Sequence, residues 1–348
     1  MSFSSVNFGL VGFGAWGQMH AQSIAGNPEA RLAAITAPSA ASRELAQKLY
    51  PEAKIYADHQ AMLAEAQVDA VDIVTPSHTH IVICSDALRA GKHVLLEKPM
   101  GLRIADCRAM IAFAEHAKRV LAIGHELRLS SQWGEVRRII ERGVIGTPQY
   151  VLVELSRKPY RSGADGWRYD ASRVGSWVLE EPIHFFDLAR WYLADAGDPE
   201  SLYAVANSRD PSRPELHDNF SSIMRYNNGA YAVVSQTLAA FEHHQTVKVA
   251  GTKGAIWAAW SGALDRTLEP TCSLRMFDGE KVTDIPLARQ SGEVFELREE
   301  IAMMVRCVRG EAQPIASGRD GMWSAALCLA AEESIRQGAP LSLRDFMQ

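Results

Sequence analysis

Nine residues in the second half of the chain, LEEPIHFFD (179–187), place acidic and basic side chains in an apolar setting. They include Glu180, Glu181, His184 and Asp187, and their flanks read GSWV and LARWYL. Two interpretations are open. Carboxylates at a helix start and one hydrogen-bonded histidine would be structural, whereas a histidine with neighbouring carboxylates would also suit proton transfer. The segment alone does not decide between them, so other motifs must.

A second motif, GFGAWG (12–17), has the spacing G-x-G-x-x-G between a predicted strand and a predicted helix. In such a loop the first glycine permits a tight turn and the second lets the backbone approach a pyrophosphate. The third lets the helix pack on the strand, and the helix N-terminus faces the phosphate charge. The sequence therefore predicts a dinucleotide-binding loop formed by Gly12, Phe13, Gly14, Ala15, Trp16 and Gly17.

The end of the second predicted strand bears on the choice between NAD and NADP. An acidic residue that binds the adenosine ribose is expected there, but Thr36 occupies the position. No acidic residue occurs between Thr36 and Glu44. Ser39 and Arg43 could hold a 2′-phosphate, or Thr36 could hydrogen-bond a ribose hydroxyl. Arg43 could equally lie on a solvated helix face. The cofactor is therefore predicted as NAD or NADP.

A third motif, VLLEKP (94–99), ends another predicted strand of the same domain with the charged pair Glu97 and Lys98. Ligands of open α/β sheets bind beyond the carboxyl ends of the strands, so Lys98 is predicted to project toward the cofactor. The alternative is a surface Glu–Lys pair, which would contribute little to stability.

Composition disfavours several classes of function. The chain has 348 residues and a net charge of -5, with 47% hydrophobic and 22% charged residues. A negative charge disfavours a nucleic-acid or acidic-membrane partner, and no apolar run is long enough to span a bilayer. The N-terminal residues do not predict a signal peptide, and the five scattered cysteines predict reduced thiols. We expect a cytoplasmic protein.

The elements that must position these motifs change character near residue 125. Before it, apolar runs such as RLAAIT (31–36) alternate with helix-like segments such as SAASRELAQKLY (39–50), which predicts a parallel sheet covered by helices. After it, strand-like segments follow one another, which predicts a largely antiparallel sheet. We predict an α/β protein with a dinucleotide-binding domain over 1–125 and a second domain over 126–348, whose last helix could pack back on the first.

The glycine loop and two further segments resemble the glucose-fructose oxidoreductase/inositol dehydrogenase (Gfo/Idh/MocA) family of NAD(P)-dependent enzymes. These segments are TPSHTHIVICSDALRAGKHVLLEKPM (75–100) and VGSWVLEEPIHFFDLARWYL (174–193). The resemblance covers nearly the whole chain. It implies a Rossmann domain followed by an α/β domain whose large open sheet often mediates oligomerisation. A homo-oligomer, either a dimer or a tetramer, is therefore expected.

The resemblance also implies roles for individual residues. Lys98 matches the family's catalytic lysine and His184 its catalytic histidine. Glu180 stands where the family usually has aspartate, which lengthens the reach of the carboxylate by ~1.5 Å, and Pro182 stands where the family has glycine. Further cofactor contacts are expected at Thr75, Pro76, His80, Glu97 and Lys98.

These residue types suit the oxidation of a secondary alcohol. A histidine whose pKa lies near the working pH can take the hydroxyl proton, and a lysine ammonium can stabilise the developing alkoxide. A carboxylate beside the histidine can orient its ring. We therefore predict that Glu180 orients His184, that His184 transfers the proton and that Lys98 polarises the oxygen. Asp187 is predicted to be structural.

Two segments are expected to contact the substrate. HELRLSSQW (125–133) follows the predicted domain boundary, and the polar segment 157–173 carries aromatic and arginine residues. Aromatic rings can pack on the C–H face of a sugar, and guanidinium groups can bind its hydroxyls. Each candidate could instead make structural hydrogen bonds. The candidates are His125, Arg128, Tyr160, Trp167 and Arg168.

The predicted function is hydride transfer between NAD(P) and a secondary alcohol of a sugar, cyclitol or glycoside. The long polar loop and Glu180 favour a substrate bulkier than a monosaccharide. One alternative is a redox-neutral conversion through transient oxidation with tightly bound NAD, and another is a non-catalytic nucleotide-sensing protein. No catalytic metal is predicted, because the adjacent His243 and His244 point apart on a strand.

Overall fold

The structure, a computed structural model, describes residues 5–348, which divide into two compact units. The first unit contains the chain up to Glu126 together with Leu297–Met322. The second contains Leu127–Glu296 together with Trp323–Gln348. Among residues 5–348, no helix is long and apolar enough to cross a membrane.

The first unit contains a six-stranded parallel sheet in the order β3-β2-β1-β4-β5-β6. This is the strand order of a Rossmann fold, in which the chain reverses its winding between β1 and β4. The strands are β1 (Val6–Val11), β2 (Ala30–Thr36), β3 (Lys54–Tyr56), β4 (Ala70–Ile73), β5 (His93–Leu96) and β6 (Leu121–Ile123).

Five helices connect these strands, as the alternating pattern predicts. Strands buried on both faces are nearly continuous in apolar residues, and β4 is fully buried. The helices are α1 (Ala15–Ala25), α2 (Ala40–Leu49), α3 (His59–Glu65), α4 (His80–Arg89) and α5 (Ile104–Ala117). The predicted Rossmann domain is confirmed.

The second unit contains a nine-stranded sheet in the order β14-β13-β12-β11-β7-β10-β9-β8-β15, in which only β7 and β10 pair in parallel. The predicted mostly antiparallel sheet is confirmed. Its elements begin with α6 (Trp133–Glu141), β7 (Pro148–Arg157), α7 (Ala171–Val174), α8 (Pro182–Tyr192), β8 (Ser201–Asn207), β9 (Asn219–Arg225), β10 (Tyr231–Thr237) and β11 (His243–Gly251). They continue with β12 (Ala255–Gly262), β13 (Thr271–Phe277), β14 (Val282–Asp284), α9 (Glu293–Val308), α10 (Gly318–Gln337), β15 (Leu341–Ser342) and α11 (Leu343–Phe346).

Helix α8 packs on one face of this sheet, against β7 and β10. On that face Val151 and Val153 of β7 and Val234 of β10 are buried, and Phe186 of α8 stacks on Phe220 of β9 with ring centroids 6.2 Å apart. The alternating burial of these strands leaves their other face partly exposed, as expected for an antiparallel sheet with one covered face.

Leu297–Met322 belongs to the first unit, whereas the predicted second domain ran over 126–348 with a last helix that could pack back on the first. Ile301, Met304 and Val305 of α9 are buried in the same core cluster as Phe8 and Leu10 of β1. The backbone N–H of Ile123 also donates to the carbonyl of Ala316 at 3.0 Å. Leu297–Met322 therefore packs on the Rossmann sheet through its buried apolar residues. The boundary between the two units falls within α10, after Met322.

Candidate active site

The glycine loop connects β1 to α1, and two of its glycines are required by close packing. Gly12 has a φ of +105°, and a Cβ there would lie 2.1 Å from the carbonyl oxygen of Val74. A Cβ on Gly17 would lie 2.1 Å from the carbonyl oxygen of Gly12. A Cβ on Gly14, by contrast, would meet no atom within 4 Å. The second glycine therefore leaves open space above the loop, which a pyrophosphate could fill.

The N-terminus of α1 supplies the matching polar groups. Gly14 is its N-cap and has no side chain to accept from the first backbone N–H groups, and no acidic residue lies in the first turn. Gly14 and Ala15 are both exposed. Unpaired N–H groups and the helix dipole attract an anion at such an end. The loop therefore fits the phosphates of a dinucleotide.

Two side chains of the loop face the protein. Phe13 is buried and packs edge-on against Tyr50, with ring centroids 6.1 Å apart, so Phe13 can offer the cofactor only its backbone. The indole N–H of Trp16 donates to Oε1 of Glu97 at 2.7 Å. Trp16 thus links the glycine loop to the segment that carries Lys98.

The end of β2 departs from the prediction for Thr36. Its hydroxyl is buried and donates to Sδ of Met62 at 3.4 Å, so it points into the core and not toward a ribose. Ser39 caps α2, accepting from the N–H of Ser42, and Arg43 donates to the carbonyls of Ala37 and Pro38 at 3.0 and 2.6 Å. Of the predicted residues here, Ser39 and Arg43 remain candidates for the ribose or its phosphate.

Thr75, Pro76 and Lys98 lie just past the ends of β4 and β5, and all three are half-buried. His80, predicted as a cofactor contact, is instead fully buried. Its Nδ1 and Nε2 lie 2.8 and 2.9 Å from the carbonyl oxygens of Pro99 and Thr75. Burial lowers the pKa of His80, and a neutral ring donates only one of these hydrogen bonds. His80 therefore connects the segment after β4, at Thr75, to the segment after β5, at Pro99.

Glu97, also predicted as a cofactor contact, belongs to a buried charge network. The imidazole of His20, on α1, lies 3.1 Å from its Oε1, and the backbone N–H of Lys98 donates to its Oε2 at 3.1 Å. Burial alone would raise the pKa of Glu97, but its hydrogen bond with His20 and the positive charges of His20 and Lys98 outweigh that effect and hold the pKa below its usual range. Glu97 is therefore an anion that fixes the backbone at Lys98.

The same network contains Asp72 of β4 and Glu300 of α9. His20 Nδ1 lies 2.8 Å from Oδ2 of Asp72. Burial lowers the pKa of His20, but the charges and hydrogen bonds of the two carboxylates raise it well above its usual value. Burial and the charge of Glu97 raise the pKa of Glu300. The network thus combines the imidazole of His20 with three acidic side chains, those of Asp72, Glu97 and Glu300.

In the second unit, α8 begins at Pro182, and all four polar residues of LEEPIHFFD are buried. Asp187 accepts from both Nε and Nη2 of Arg128 at 2.7 Å, and from the hydroxyl of Ser324 at 3.0 Å. This bidentate pair holds Arg128, a predicted substrate contact, inside the protein. The geometry favours structural roles for both Asp187 and Arg128.

Glu180 and Arg168, two of the predicted site residues, are brought together, since Nε of Arg168 donates to Oε1 of Glu180. The Arg168 guanidinium also lies over the ring of Trp167, 4.5 Å from its centroid, and the indole N–H of Trp177 donates to the Arg168 carbonyl at 2.8 Å. The loop that carries the predicted substrate contacts is therefore anchored beside His184 by an ion pair.

Two other substrate candidates lie in the interior. Tyr160 donates its hydroxyl to Oε1 of Gln236 at 3.0 Å, and burial raises its pKa well above the usual value. It belongs to an apolar cluster with Trp177 and Leu216, which favours a structural role. His125, in the first unit, is 1% exposed.

Sequence reasoning missed the buried partners of Glu97 and Glu181. Glu181 accepts from Arg157 and lies 3.0 Å from Nε2 of His243. Burial would raise the pKa of Glu181, but the charge of Arg157 and the contact with His243 outweigh that effect and lower the pKa. Asp72 could have been recognised as a buried acid, because it interrupts the apolar run VDAVDIV.

Across residues 5–348, no cluster of three or more His, Cys, Asp or Glu residues is arranged to hold a metal ion.

Comparison with known proteins identifies the family. Residues 6–125 match an oxidoreductase family with an NAD-binding Rossmann fold, and residues 133–257 match the GFO/IDH/MocA C-terminal domain. The inositol 2-dehydrogenase of Rhizobium meliloti (strain 1021) is 30% identical, over 97% of this chain and 99% of its own length. The chain belongs to the Gfo/Idh/MocA family.

Further proteins of known activity or structure align over most of the chain. The 1,5-anhydro-D-fructose reductase of Ensifer adhaerens is 28% identical over 80% of this chain and 81% of its own. The crystal structure of aldose-aldose oxidoreductase from Caulobacter crescentus, complexed with glycerol, has a TM-score of 0.83 over 97% of this chain and 99% of its own, at 23% identity. That structure shows the fold. The protein is an oxidoreductase of a sugar- and cyclitol-acting family, and its first unit is an NAD-binding Rossmann domain for NAD or NADP.

Proposed function

We propose that the protein is an NAD(P)-dependent dehydrogenase that oxidises a secondary alcohol of a sugar, cyclitol or glycoside. The observation that carries the proposal lies in the first unit, where an open glycine loop after β1 and Lys98 after β5 stand at the same edge of the sheet. Glu97 joins them, because it accepts from Trp16 of the loop and from the backbone of Lys98. A named relative is an inositol 2-dehydrogenase, which supports a hydroxyl as the reacting group.

When bound, the nicotinamide ring supplies the hydride acceptor. Lys98 would place its ammonium at the reacting oxygen and stabilise negative charge there as the O–H proton leaves. His184 would accept that proton on its imidazole and return it in the reverse direction. These two roles rest on the match of both residues to the family's motifs.

Glu180, which is predicted to orient His184, also pairs with Arg168. Its longer side chain reaches Arg168, so a carboxylate at the start of α8 and a cation in segment 157–173 neutralise each other. We propose that this pair positions Trp167 and Arg168 for the substrate. An aspartate at the same position would be ~1.5 Å shorter and would loosen the pair.

The decisive experiment incubates the protein with NAD⁺, and separately with NADP⁺, against pooled sugars, cyclitols and glycosides, and follows reduced nicotinamide. Lys98→Ala and His184→Ala should each lose about 10²–10⁴-fold in turnover, and His184→Ala should retain cofactor affinity. Lys92→Ala, at a half-buried lysine just before β5, is the matched control. Full turnover in either site variant would refute the roles assigned to Lys98 and His184. Consumption of substrate without accumulation of reduced cofactor would indicate a redox-neutral conversion instead of a dehydrogenase reaction.

We propose further that copies of the chain associate through the exposed face of the second sheet. Tyr203, Ile223 and Trp257, on strands β8, β9 and β12, are 37%, 43% and 58% exposed, although large apolar side chains on a sheet face are normally covered. Light scattering should show a dimer or tetramer, and Ile223→Lys with Trp257→Lys should reduce its mass. A monomeric wild type would reject this interface.

A further inference from the structure

A cavity of about 230 Å³ lies in the second unit beside the segment that carries Arg168, and none of the roles above uses it. Its walls come from two parts of the chain, residues 159–177 and residues 208–218. The members that matter for its chemistry are Tyr169, Trp177, Leu216, Arg209, Arg213 and Asp218.

The inner walls of the cavity are apolar. Trp177 and Leu216 are 5% and 1% exposed, and Tyr169 packs edge-on against Trp177 with ring centroids 5.1 Å apart. The polar atoms of both rings are already bound, since Trp177 donates to the Arg168 carbonyl and the Tyr169 hydroxyl donates to the Tyr160 carbonyl, each at 2.8 Å. The rings therefore offer carbon surface to an occupant.

The rim of the cavity is polar, and its charged side chains are Arg209, Arg213, Asp210 and Asp218. Asp218 is buried and is neutralised by Arg209, whose backbone N–H donates to it at 2.7 Å and whose Nη2 donates at 3.2 Å. Arg213 is exposed, and its guanidinium lies 5.1 Å from the centroid of the Tyr169 ring. A cation above an aromatic wall can hydrogen-bond a ligand that packs on the ring.

The volume restricts the occupant. Pockets that enclose a whole drug-sized ligand begin at roughly 300 Å³, and this cavity is smaller. It suits one ring of a larger molecule, with the remainder outside.

The cavity wall and Glu180 are held by the same residues. The backbone N–H of Glu180 donates to the carbonyl of Trp177 at 3.3 Å. Trp177 donates to the Arg168 carbonyl, and Arg168 donates to the Glu180 carboxylate. A ring in the cavity would therefore lie beside the residues to which we assign the sugar.

We propose that this cavity is a subsite for the aglycone of a glycoside, a second ring joined to the oxidised sugar through the glycosidic oxygen. The inference rests on the proposed function, because it assumes that the first sugar binds near Glu180 and His184. The aglycone packs on Tyr169 and Trp177, and Arg213 contacts it at the rim. The enzyme then prefers a glycoside with an aromatic or sugar aglycone over the free sugar.

The test measures binding to the full chain carrying Lys98→Ala, which removes the proposed turnover and leaves the second unit unchanged. Saturation-transfer NMR compares phenyl β-D-glucopyranoside and phenyl β-D-galactopyranoside with the two free sugars. We expect at least one phenyl glycoside to bind about tenfold more tightly than its free sugar, with the strongest transfer to the phenyl protons. Leu216→Trp, which fills the cavity, should abolish this gain, and Arg142→Ala, at an exposed arginine just after α6, should retain it.

Arg213→Ala is a second variant in case Leu216→Trp does not fold, since its side chain is exposed, and it should reduce the gain. No gain for either phenyl glycoside, or a full gain in a folded variant with the cavity filled, would overturn the subsite. Wild-type turnover of free sugars without any gain would reject the subsite and keep the proposed function. A gain in binding without wild-type turnover of any substrate would keep the subsite and reject the proposed function.

Discussion

His20 and Asp72 form an ion pair in the interior of the Rossmann unit, with Nδ1 of His20 2.8 Å from Oδ2 of Asp72 and both side chains nearly inaccessible. The other ring nitrogen of His20 lies 3.1 Å from Glu97. Two carboxylates therefore depend on one imidazolium, and Glu97 in turn holds Trp16 and the backbone of Lys98. The glycine loop and the proposed catalytic lysine share one electrostatic support.

Replacing His20 should destabilise the first unit strongly. His20→Leu would leave Asp72 and Glu97 buried without their cation, and removing one partner of a buried ion pair costs about 3–5 kcal/mol. His59→Leu is the matched control, because His59 also pairs with an aspartate, Asp86 at 2.9 Å, but closer to solvent. It should cost about 0–1 kcal/mol. Urea unfolding of both variants would measure the difference, and equal losses would contradict the assigned role of His20.

Alanine at Gly14 should lower cofactor affinity, whereas alanine at Gly17 should lower the stability of the fold. Gly14→Ala meets no atom and has an ordinary φ of -74°, so stability should change by less than about 1 kcal/mol, while NAD(P) affinity falls because the methyl group occupies the phosphate space. Gly17→Ala would press on the Gly12 carbonyl and should lower stability itself. Calorimetric cofactor titration and thermal unfolding separate the two effects. Unchanged affinity in Gly14→Ala would exclude this loop as the phosphate site.

Arg128 should be needed for stability and not for substrate affinity alone. Arg128→Met leaves the buried Asp187 carboxylate unpaired and should cost about 3–5 kcal/mol. The double variant Arg128→Met/Asp187→Leu should recover part of that loss, because no charge is then stranded. Should the single variant instead remain as stable as wild type and show only a raised KM, Arg128 would be a substrate contact after all.

Glu296 should make the second unit less stable as pH rises. Burial raises its pKa to about 7, against the hydrogen bonds that it accepts from the Gly292 backbone and the Ser291 hydroxyl. A carboxyl whose pKa is raised on folding stabilises the folded state below its unfolded pKa of about 4.3, and that contribution is lost as pH rises through the folded value.

Glu296→Gln keeps the size of the side chain and cannot ionise. It should match wild type near pH 5 and exceed it near pH 8, by up to about 3 kcal/mol. Glu280→Gln, at an exposed turn, should show no such change in stability relative to wild type between the two pH values. Urea unfolding at both pH values is the measurement, and parallel curves for wild type and Glu296→Gln would show that Glu296 titrates normally.

Local patterns predicted the fold because each signal lies within one segment. The glycine loop needs only the six residues of GFGAWG, and the short segment NNG (227–229) joins β9 to β10 in a hairpin, with Gly229 at a φ of +86°. Alternation of strands and helices was enough to indicate the parallel sheet. These features follow from propensity and turn chemistry, which the sequence carries directly.

Side-chain partners could not be read in this way. Arg128 and Asp187 are 59 positions apart, and their pairing depends on how α8 packs. Whether Thr36 faces a ribose or the core depends on where α3 places Met62. The interior contacts of Thr36, His80 and Arg128 therefore could not be predicted, although each residue lies close to the segment where a site was expected.

The return of Leu297–Met322 to the first unit has a consequence during synthesis. The nucleotide-binding half begins to emerge from the ribosome first, yet Ile301, Met304 and Val305, which complete its core, emerge only after strands β7 to β14 of the second unit. Until then the nascent Rossmann sheet would expose an apolar surface that attracts chaperones or other chains. A gene fragment that stops after Glu126 should for the same reason yield an aggregation-prone product, and supplying α9 as a separate peptide should improve its solubility.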